Sequence, residues 1–297
     1  MVTLDDIVRK ITYKRLATIL LVVTIIPLIH PLGLPIPISP QTDAFKAEID
    51  KLSPGSVIAF GFQIAGIGGI PQYSPGWQVI TKYIASRQLR IVYVCISDVS
   101  PIGVEDAIRS SGVETTYGWK KGVDYVITPY IAGEETALAS FASDVQGTVA
   151  TDYYGTPASQ LPLMRNLNTL ADFQLTIASY GTFTFADMFA RQWAGKYPTV
   201  PMIVYGMFGT VAAYYPTLVR GALDLDRGSA EFEVLVRQPG IYASRMDARN
   251  TFGYALIILM LIGNIAHYQT GGIRKKAGAG FERTFFGDQK EKEDVKK

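Results

Sequence analysis

Two long stretches without a charged side chain constrain this chain most. No Asp, Glu, Lys or Arg occurs from Leu16 to Thr42 or from Asn250 to Ile273. Each stretch exceeds the ~20 residues that an α-helix needs to cross the ~30 Å hydrocarbon core of a bilayer. We therefore expect one transmembrane helix at residues 16–38 and a second at residues 250–270. A buried core helix is the alternative for either stretch.

A cleaved signal peptide is a further alternative for the first stretch, because basic residues precede it. Its apolar run ends without the small-x-small pattern of a cleavage site, which favours an uncleaved anchor. Lys and Arg also accumulate on the cytoplasmic side of membrane helices. Here they precede the first helix and follow the second, at Arg9, Lys10, Lys14, Arg15, Arg274, Lys275 and Lys276. We expect a two-pass protein of the plasma membrane with residues 1–15 and 274–297 in the cytoplasm.

Residues 43–249 are then expected outside the membrane, as an extracytoplasmic domain. They carry 16 basic and 19 acidic side chains, a net charge of −3. Because nucleic-acid binding depends on neutralising phosphates, this charge argues against a nucleic-acid partner. The expected partners are the lipid bilayer and either another membrane protein or a second copy of the chain.

Short apolar segments rich in β-forming residues alternate with helical patterns across this domain. Such uninterrupted apolar runs are typical of strands buried on both faces of a parallel sheet. The predicted strands are Ser56–Phe62, Arg90–Ser97, Val123–Thr128, Gln174–Ser179 and Pro201–Tyr205, with a weaker sixth at Thr148–Tyr153. The predicted helices include Trp77–Ala85, Glu135–Val145 and Phe183–Tyr197. We predict an α/β fold, a doubly wound and mostly parallel Rossmann-like sheet between two transmembrane helices.

Ligands of such sheets bind at the carboxyl ends of the strands, so the loops there hold the candidate ligand-binding residues. After the first strand these are Gly61, Gly66, Gly68 and Gly69, which would let backbone N–H groups approach a phosphate. However, Pro71 stands where the third glycine of GxGxxG belongs, and no GxxxxGK[ST] occurs. We therefore expect no cofactor. The alternative is a glycine-rich surface loop that lies on the membrane through Phe62, Ile64, Ile67 and Ile70.

The other candidates in these loops are Asp98, Asp152, Tyr153 and Gly155. Asp98 and Asp152, with Glu134 and Glu135, could hold a hard cation or act as an acid–base pair. The alternative is that Asp98 and Asp152 cap turns and helix starts. Cys95 lies within a predicted strand, and residues 43–249 contain no histidine to activate it. We read Cys95 as a small buried side chain.

The chain before the second apolar stretch contains Glu231 and Glu233, which are candidate interface residues. Ser229 could cap a helix there, with both acids in its first turns. In the functional interpretation this segment joins the domain to the membrane, and its carboxylates pair with Arg237 or a partner subunit. Gly263 and Asn264 are further interface candidates, because small and polar residues let membrane helices approach closely.

Two motifs resemble those of a known family. They are Thr151–Pro157 (TDYYGTP) followed by Leu161–Met164 (LPLM), and Arg227–Glu233 (RGSAEFE) before a final membrane helix. The sequence resembles an uncharacterised family of prokaryotic membrane-anchored proteins with a Rossmann-like extracytoplasmic domain. The resemblance implies the architecture but no activity.

These features lead us to expect a membrane-anchored binding or scaffold subunit of a membrane protein complex. The aromatic content supports this expectation, since aromatic side chains are enriched at protein interfaces. The alternative is an extracytoplasmic enzyme that uses carboxylates, with or without a divalent metal, on a small or lipid-linked substrate.

Overall fold

A six-stranded sheet with all strands parallel lies in the middle of the chain. The computed structural model describes residues 12–64, 66–204 and 207–269. In chain order the strands are β1 (Val57–Phe62), β2 (Arg90–Cys95), β3 (Tyr125–Ile127), β4 (Leu175–Tyr180), β5 (Thr199–Ile203) and β6 (Leu223–Asp224). Their spatial order is β3-β2-β1-β4-β5-β6. This is the order of the doubly wound Rossmann sheet, so the predicted α/β fold is confirmed.

Eleven α-helices are present in the described residues. They are α1 (Tyr13–Ile29), α2 (Pro40–Asp50), α3 (Ile70–Ser86), α4 (Ser100–Ser111), α5 (Val113–Thr116), α6 (Glu135–Ser143), α7 (Val145–Thr148), α8 (Phe183–Phe189), α9 (Phe208–Ala212), α10 (Arg227–Leu235) and α11 (Ile241–Gln269). Helix α8 continues as a π-helical turn, Ala190–Ala194. Single 3₁₀ turns cover Ile67–Gly69, Ala158–Gln160 and Leu170–Asp172.

Both faces of the sheet are buried, which explains the uninterrupted apolar strands. Side chains of a strand alternate between its faces. In β1, Phe60 and Phe62 belong to the core under α2, α3, α4 and α10, while Val57 and Ala59 belong to the core under α6 and α8. Gly61 lies on the second face, where an added Cβ would be 2.7 Å from the Phe189 ring. The close approach of α8 to the sheet therefore requires a glycine.

The predicted sixth strand, Thr148–Tyr153, is wrong. The chain there leaves α7 at Thr148 and makes a single bridge between Thr151 and Pro157. A turn replaces the strand because Asp152 accepts hydrogen bonds from the backbone N–H groups of Tyr154 and Thr156, at 3.0 and 2.7 Å. The sixth strand is instead β6, which has two residues and is too short to give a periodic pattern.

The chain divides into two compact units. One, the α/β unit, covers residues 33–246 and holds the sheet. The other combines the residues before 33 with those after 246. Within this second unit α1 and α11 touch, since the Thr251 hydroxyl donates to the Val23 carbonyl at 3.2 Å.

In the described part of the chain, one helical segment is both long and apolar enough to cross a membrane. It is Ile241–Ile265 of α11, and 6 % of its most apolar window is buried. Its 25 residues correspond to ~37 Å at ~1.5 Å per residue. The helix begins nine residues before the predicted start at Asn250.

Helix α1 is shorter than the predicted span 16–38. It has 17 residues, with Pro27 inside it, and its C-cap is His30. The prolines that follow, Pro31, Pro35 and Pro37, lack a backbone N–H and disfavour helical geometry in the residue before them. The two-helix arrangement therefore stays a prediction. The predicted cytoplasmic segments fall largely on residues 1–11 and 270–297, which lie outside the described residues.

Candidate functional site

The carboxyl ends of β1 and β4 mark the point where the strand order of the sheet reverses, the position at which open α/β sheets bind ligands. Phe62 of β1 is level with Ser179 of β4. The next residue, Gln63, is 5 % exposed and donates its backbone N–H to the Ser179 carbonyl at 2.9 Å. Its side-chain carbonyl accepts a hydrogen bond from the N–H of Gly181 at 3.1 Å. The two chain segments are therefore bound to each other where a ligand would separate them.

Tyr73, from the first turns of α3, covers the same place. A Cβ added to Gly181 would lie 2.0 Å from the Tyr73 hydroxyl oxygen, so the phenol rests directly on the glycine backbone. The side chain is 2 % exposed. Burial raises the pKa of Tyr73 to about 12, so the phenol is neutral at physiological pH. Of the described residues, Tyr73 and Gln63 therefore occupy the reversal point, where both contact Gly181.

The glycine-rich loop after β1 uses its backbone donors internally. Gly66 donates to the Ile64 carbonyl and Gly69 to the Gly66 carbonyl, each at 3.0 Å. The N–H of Ile70 is bonded to the Ile67 carbonyl, and Pro71 has no N–H. A phosphate site at a helix N-terminus needs such groups to point at the anion. The N–H groups of Gly66, Gly69 and Ile70 are therefore bonded within the loop and do not point at an anion.

Two of the four candidate glycines are needed for packing. Gly61 accommodates Phe189, and a Cβ on Gly69 would lie 2.8 Å from the Ile64 side chain. Gly66 has a φ of +81°, and Gly68 has open space around it. The predicted membrane-lying loop needs correction, since Phe62 and Ile64 are buried in the core.

Asp98 is exposed in the turn between β2 and α4. Its carboxylate accepts a hydrogen bond from the N–H of the adjacent Val99 at 2.9 Å. Glu135 does not contact Asp98 but forms a bidentate ion pair with Arg191, in which both N–O distances are 2.9 Å. The hydrogen bonds from Arg191 and Gln192 lower the pKa of Glu135 to about 2. Glu134 precedes α6 with a φ of +49°.

Asp152 is 2 % exposed and holds the turn described above. The turn lies at the carboxyl end of β3, because the N–H of Tyr153 donates to the Ile127 carbonyl at 2.8 Å. Gly155 takes a φ of +84° in it. The position of this loop at the sheet edge agrees with the prediction, while the carboxylate of Asp152 has a turn-forming role. Among the described residues, no group of three or more His, Cys, Asp and Glu side chains is arranged to hold a metal.

Cys95 is fully buried at the end of β2. Its N–H donates to the Thr128 hydroxyl at 2.9 Å. Burial raises the pKa of the thiol, which disfavours the reactive thiolate.

A second cluster surrounds Glu231 and Glu233 on α10. Glu231 is 1 % exposed and binds the chain that arrives from α1. Its carboxylate accepts from the backbone N–H of Ser39 at 3.0 Å and from Arg227 Nε at 2.7 Å. Arg227 also donates to the Pro37 carbonyl at 3.3 Å. The segment before α2 is thereby fixed to the first turns of α10.

Glu233 binds the chain that leaves toward α11. Its carboxylate accepts from the N–H groups of Gly240, Tyr242 and Ala243 at 2.9, 3.3 and 2.7 Å. These groups have no helical acceptor at a helix N-terminus, so Glu233 caps α11. Burial raises the pKa of Glu233, against the effect of these hydrogen bonds.

The remaining interface predictions have different outcomes. The N-cap of α10 is Asp226 rather than the predicted Ser229, which lies fully buried inside the helix. Glu231 and Glu233 bond with Arg227 and with backbone groups, not with Arg237. Gly263 and Asn264 are exposed on α11, and their role in an interface stays a prediction.

Gln63, Tyr73 and Gly181 are not among the site residues predicted from the sequence. One available signal was Gln63 itself, a single amide between Phe62 and Ile64 directly after a strand. The contact with Gly181 spans 118 positions, and no local pattern indicates it.

Comparisons with known proteins add little. No protein-family model matches the sequence, and no curated protein matches it. Among solved structures, a trehalose-6-phosphate synthase, OtsA, is similar with a TM-score of 0.32 and 10 % identity over 77 % of this chain. The chain spans 45 % of the length of that protein. A likeness of this size carries no argument about fold or function, and the fold assignment rests on the strand order alone.

Proposed function

We propose that the protein is a membrane-anchored binding or scaffold subunit of a membrane protein complex. The observation that carries this proposal is that, among the described residues, Gln63 and Tyr73 occupy the ligand position of the sheet with buried side chains in contact with Gly181. A Rossmann-like domain whose ligand position is filled by its own side chains is suited to a structural or binding role. The resemblance to prokaryotic membrane-anchored proteins with such a domain is part of the same proposal.

The anchor in this proposal consists of α11 and α1, which cross the plasma membrane with both termini in the cytoplasm. Residues 43–249 then lie outside. The exposed apolar surface of α11 supports this arrangement. It includes Phe252, Ile257, Ile258, Met260, Leu261 and Ile265, all more than one-third exposed.

Helix α10 supports the anchoring role from within the α/β unit. Glu231 fixes the segment that arrives from α1, and Glu233 caps the helix that leaves as α11. Breaking a buried charge–hydrogen-bond cluster by removing one partner costs about 3–5 kcal/mol. This arrangement ties both membrane-directed segments to one short helix.

The partner surface in this proposal is the exposed side of α11 around Gly263 and Asn264. The test is purification of the tagged full chain from its own membranes in mild detergent, followed by mass spectrometry. We expect a second polypeptide at a fixed ratio. Replacing Gly263 and Asn264 by Leu removes the close approach and the amide hydrogen bonds, so the ratio should fall.

The matched control is Met260→Leu, which keeps an exposed apolar side chain on the same helix. It should retain the companion. Loss of the companion in the control alone, or an unchanged ratio in all variants, would remove Gly263 and Asn264 from the proposed interface. Recovery of the wild-type chain without any companion would contradict the subunit proposal itself.

A further inference from the structure

A polar cleft of about 260 Å³ lies within the α/β unit, at the carboxyl end of β6. Its volume is close to the lower end of the ~300–1,000 Å³ of small-molecule sites. The cleft is two strands away from the reversal point of the sheet, and neither Gln63 nor Tyr73 lines it. The described residues that line it come from the starts of α2, α9 and α10 and from the end of β6. They are Ser39, Gln41, Thr42, Phe208, Asp224, Arg227, Gly228 and Glu231.

Two of the charged side chains in this cleft are paired with each other. Arg227 Nε donates to the Glu231 carboxylate at 2.7 Å, and Glu231 also accepts from the backbone N–H of Ser39 at 3.0 Å. Arg227 Nη2 donates to the Pro37 carbonyl at 3.3 Å. The remaining guanidinium nitrogen, Nη1, has no hydrogen-bond partner in the part of the chain that the structure describes. It can therefore donate to a ligand.

The third charged side chain, Asp224, has no cationic partner among the described residues. Its carboxylate accepts from the backbone N–H groups of Asp226, at 2.9 Å, and of Arg227. These bonds use about two of the ~four acceptor positions of a carboxylate. Burial raises the pKa of Asp224, and the negative charges of Asp226 and Glu231 add to this effect. A half-buried carboxyl group with a perturbed pKa in a cleft is typical of functional sites.

Two uncharged side chains complete the set of groups that face the cleft. The Gln41 side chain is half-buried and makes no hydrogen bond with the described residues, so its amide can both donate and accept. Phe208 is half-buried and gives the cleft an aromatic wall. The cleft therefore combines donors, acceptors and one apolar face in the space of a single substituted six-membered ring.

We infer that this cleft binds a neutral polyhydroxylated molecule the size of one sugar ring. Its hydroxyl groups bond with Asp224, Arg227 and Gln41, and its carbon face packs on Phe208. Each hydroxyl group donates one hydrogen bond and accepts others, so hydroxyl groups match a cleft that holds a carboxylate, a guanidinium and an amide together. This binding requires neither the proposed membrane anchoring nor a companion protein.

Other classes of ligand match these groups less well. An anion would meet the unpaired carboxylate of Asp224, and an organic cation would meet the guanidinium of Arg227. An apolar ligand would cover charged side chains without giving them hydrogen bonds, which is costly. A divalent metal needs several acidic ligands, and among the described residues no group of three or more His, Cys, Asp and Glu is arranged to hold one.

The test is titration of the purified full chain with myo-inositol and with D-glucose, in a detergent whose headgroup is not a sugar. Saturation-transfer NMR reports the binding of such small probes directly. We expect saturable binding with a dissociation constant of about 1 mM, in keeping with the affinity per atom of small ligands.

Gln41→Ala should weaken this binding about five-fold, the effect of one lost neutral hydrogen bond. The variant should fold normally, because the Gln41 side chain has no partner in the described structure. Asp224→Asn should weaken binding about ten-fold or more, since hydrogen bonds to a charged group are stronger.

The matched control is Gln238→Ala. Gln238 lines a separate cleft of about 220 Å³ beside Glu233, and its side chain, like that of Gln41, makes no hydrogen bond with the described residues. The control should bind both probes as the wild type does.

Three results would overturn the inference. The first is no binding of either probe up to about 50 mM, where a ligand with a dissociation constant of ~1 mM fills nearly every site. The second is binding that Gln41→Ala and Asp224→Asn leave unchanged, or that Gln238→Ala weakens equally, since the probe would then bind elsewhere. The third is binding of ethylammonium but not of myo-inositol or D-glucose, lost in Asp224→Asn, which would show a site for amines.

Discussion

The side-chain carbonyl of Gln63 accepts a hydrogen bond from the backbone N–H of Gly181, and this contact joins the ends of the two central strands. The phenol of Tyr73 lies over the same glycine. An open sheet of this strand order normally leaves a crevice at that point. Here, in the described part of the chain, Gln63 and Tyr73 occupy that point, and the proposed binding or scaffold role is based on this.

Substitution of Gly181 by Ala tests the packing of the Tyr73 phenol on the Gly181 backbone. The new Cβ would lie 2.0 Å from the Tyr73 hydroxyl oxygen, so the phenol must move. We expect a loss of about 1–3 kcal/mol in the free energy of unfolding. Denaturant unfolding of the detergent-solubilised protein measures this change.

The variant Gly181→Ala with Tyr73→Phe is the matched rescue, because it removes the clashing oxygen. It should recover part of the lost stability. Gly68→Ala is the neutral control, since no atom lies within 4 Å of its added Cβ. Equal effects of Ala at positions 68 and 181 would contradict the close packing.

Glu231 and Glu233 should each protect a different set of backbone amides from hydrogen exchange. Glu231→Gln removes the charge that binds Ser39 and Arg227, so hydrogen exchange at the Ser39 amide should accelerate. Glu233→Gln places an amide NH₂ against the donors of Gly240 and Ala243. Because a lost cap costs about 0.5–2 kcal/mol, exchange at the first turn of α11 should accelerate there instead.

Each variant is the control for the other. Amide-resolved hydrogen exchange measures both effects in the same experiment. If either substitution accelerated exchange in both segments equally, α10 would not hold the two chain segments separately.

The Glu135–Arg191 pair should contribute to stability in a pH-dependent way. The pKa of Glu135 is lowered to about 2 from its usual value of 4.5, so the unfolded state binds the proton more readily. The contribution is present above pH 4.5 and is lost as the pH falls toward about 2. Glu135→Gln should remove this part of the acid dependence, measured as the denaturation midpoint against pH.

The neighbouring substitution Glu134→Gln is the matched control, because it leaves the hydrogen bonds between Glu135 and Arg191 in place, so the acid dependence due to that pair should persist. Screening by solvent and salt limits the effect of such an exposed pair. High salt should therefore reduce the difference between the wild type and Glu135→Gln. A difference that grows as the pH rises above 4.5 would have the wrong sign.

Asp98 and Asp152 test the alternative of a carboxylate-dependent enzyme. Asp98 is exposed and Asp152 forms a turn, so we expect no thermal shift on adding Mg²⁺ or Mn²⁺. Asp98→Asn should leave stability unchanged, while Asp152→Ala should cost about 1–3 kcal/mol by leaving two N–H groups unpaired. A metal-induced shift that Asp98→Asn abolishes would favour the enzyme instead.

The sequence predicted most of the sheet because its strands are buried on both faces. Five apolar runs indicate β1 to β5, and their order along the sheet required the three-dimensional structure. A strand was wrongly predicted at Thr148–Tyr153 because the segment contains β-forming residues. The Asp152 side chain bends it into a turn, and β-propensity does not include such side-chain hydrogen bonds. The uncharged stretch continues beyond α1, but the prolines after Ile29 disfavour helical geometry. Helix α1 therefore ends before the predicted span does.

The site was less predictable than the fold. Because the sheet was predicted to be parallel, the loops after its strands were expected at one edge. This correctly placed Asp98, Tyr153 and the glycine-rich loop at the carboxyl edge. The contacts of Gln63 and Tyr73 with Gly181 at the reversal point form only because β1 pairs with β4. Likewise the hydrogen bonds of Glu231 to Ser39 span 192 positions and could not be read from local spacing.

Native mass spectrometry of the chain extracted from its own membrane in mild detergent would show whether the protein is a subunit of a complex. We expect a complex heavier than the 32.5 kDa chain, in which a different polypeptide is present at a fixed ratio. A single species at the mass of the chain alone would contradict the subunit proposal.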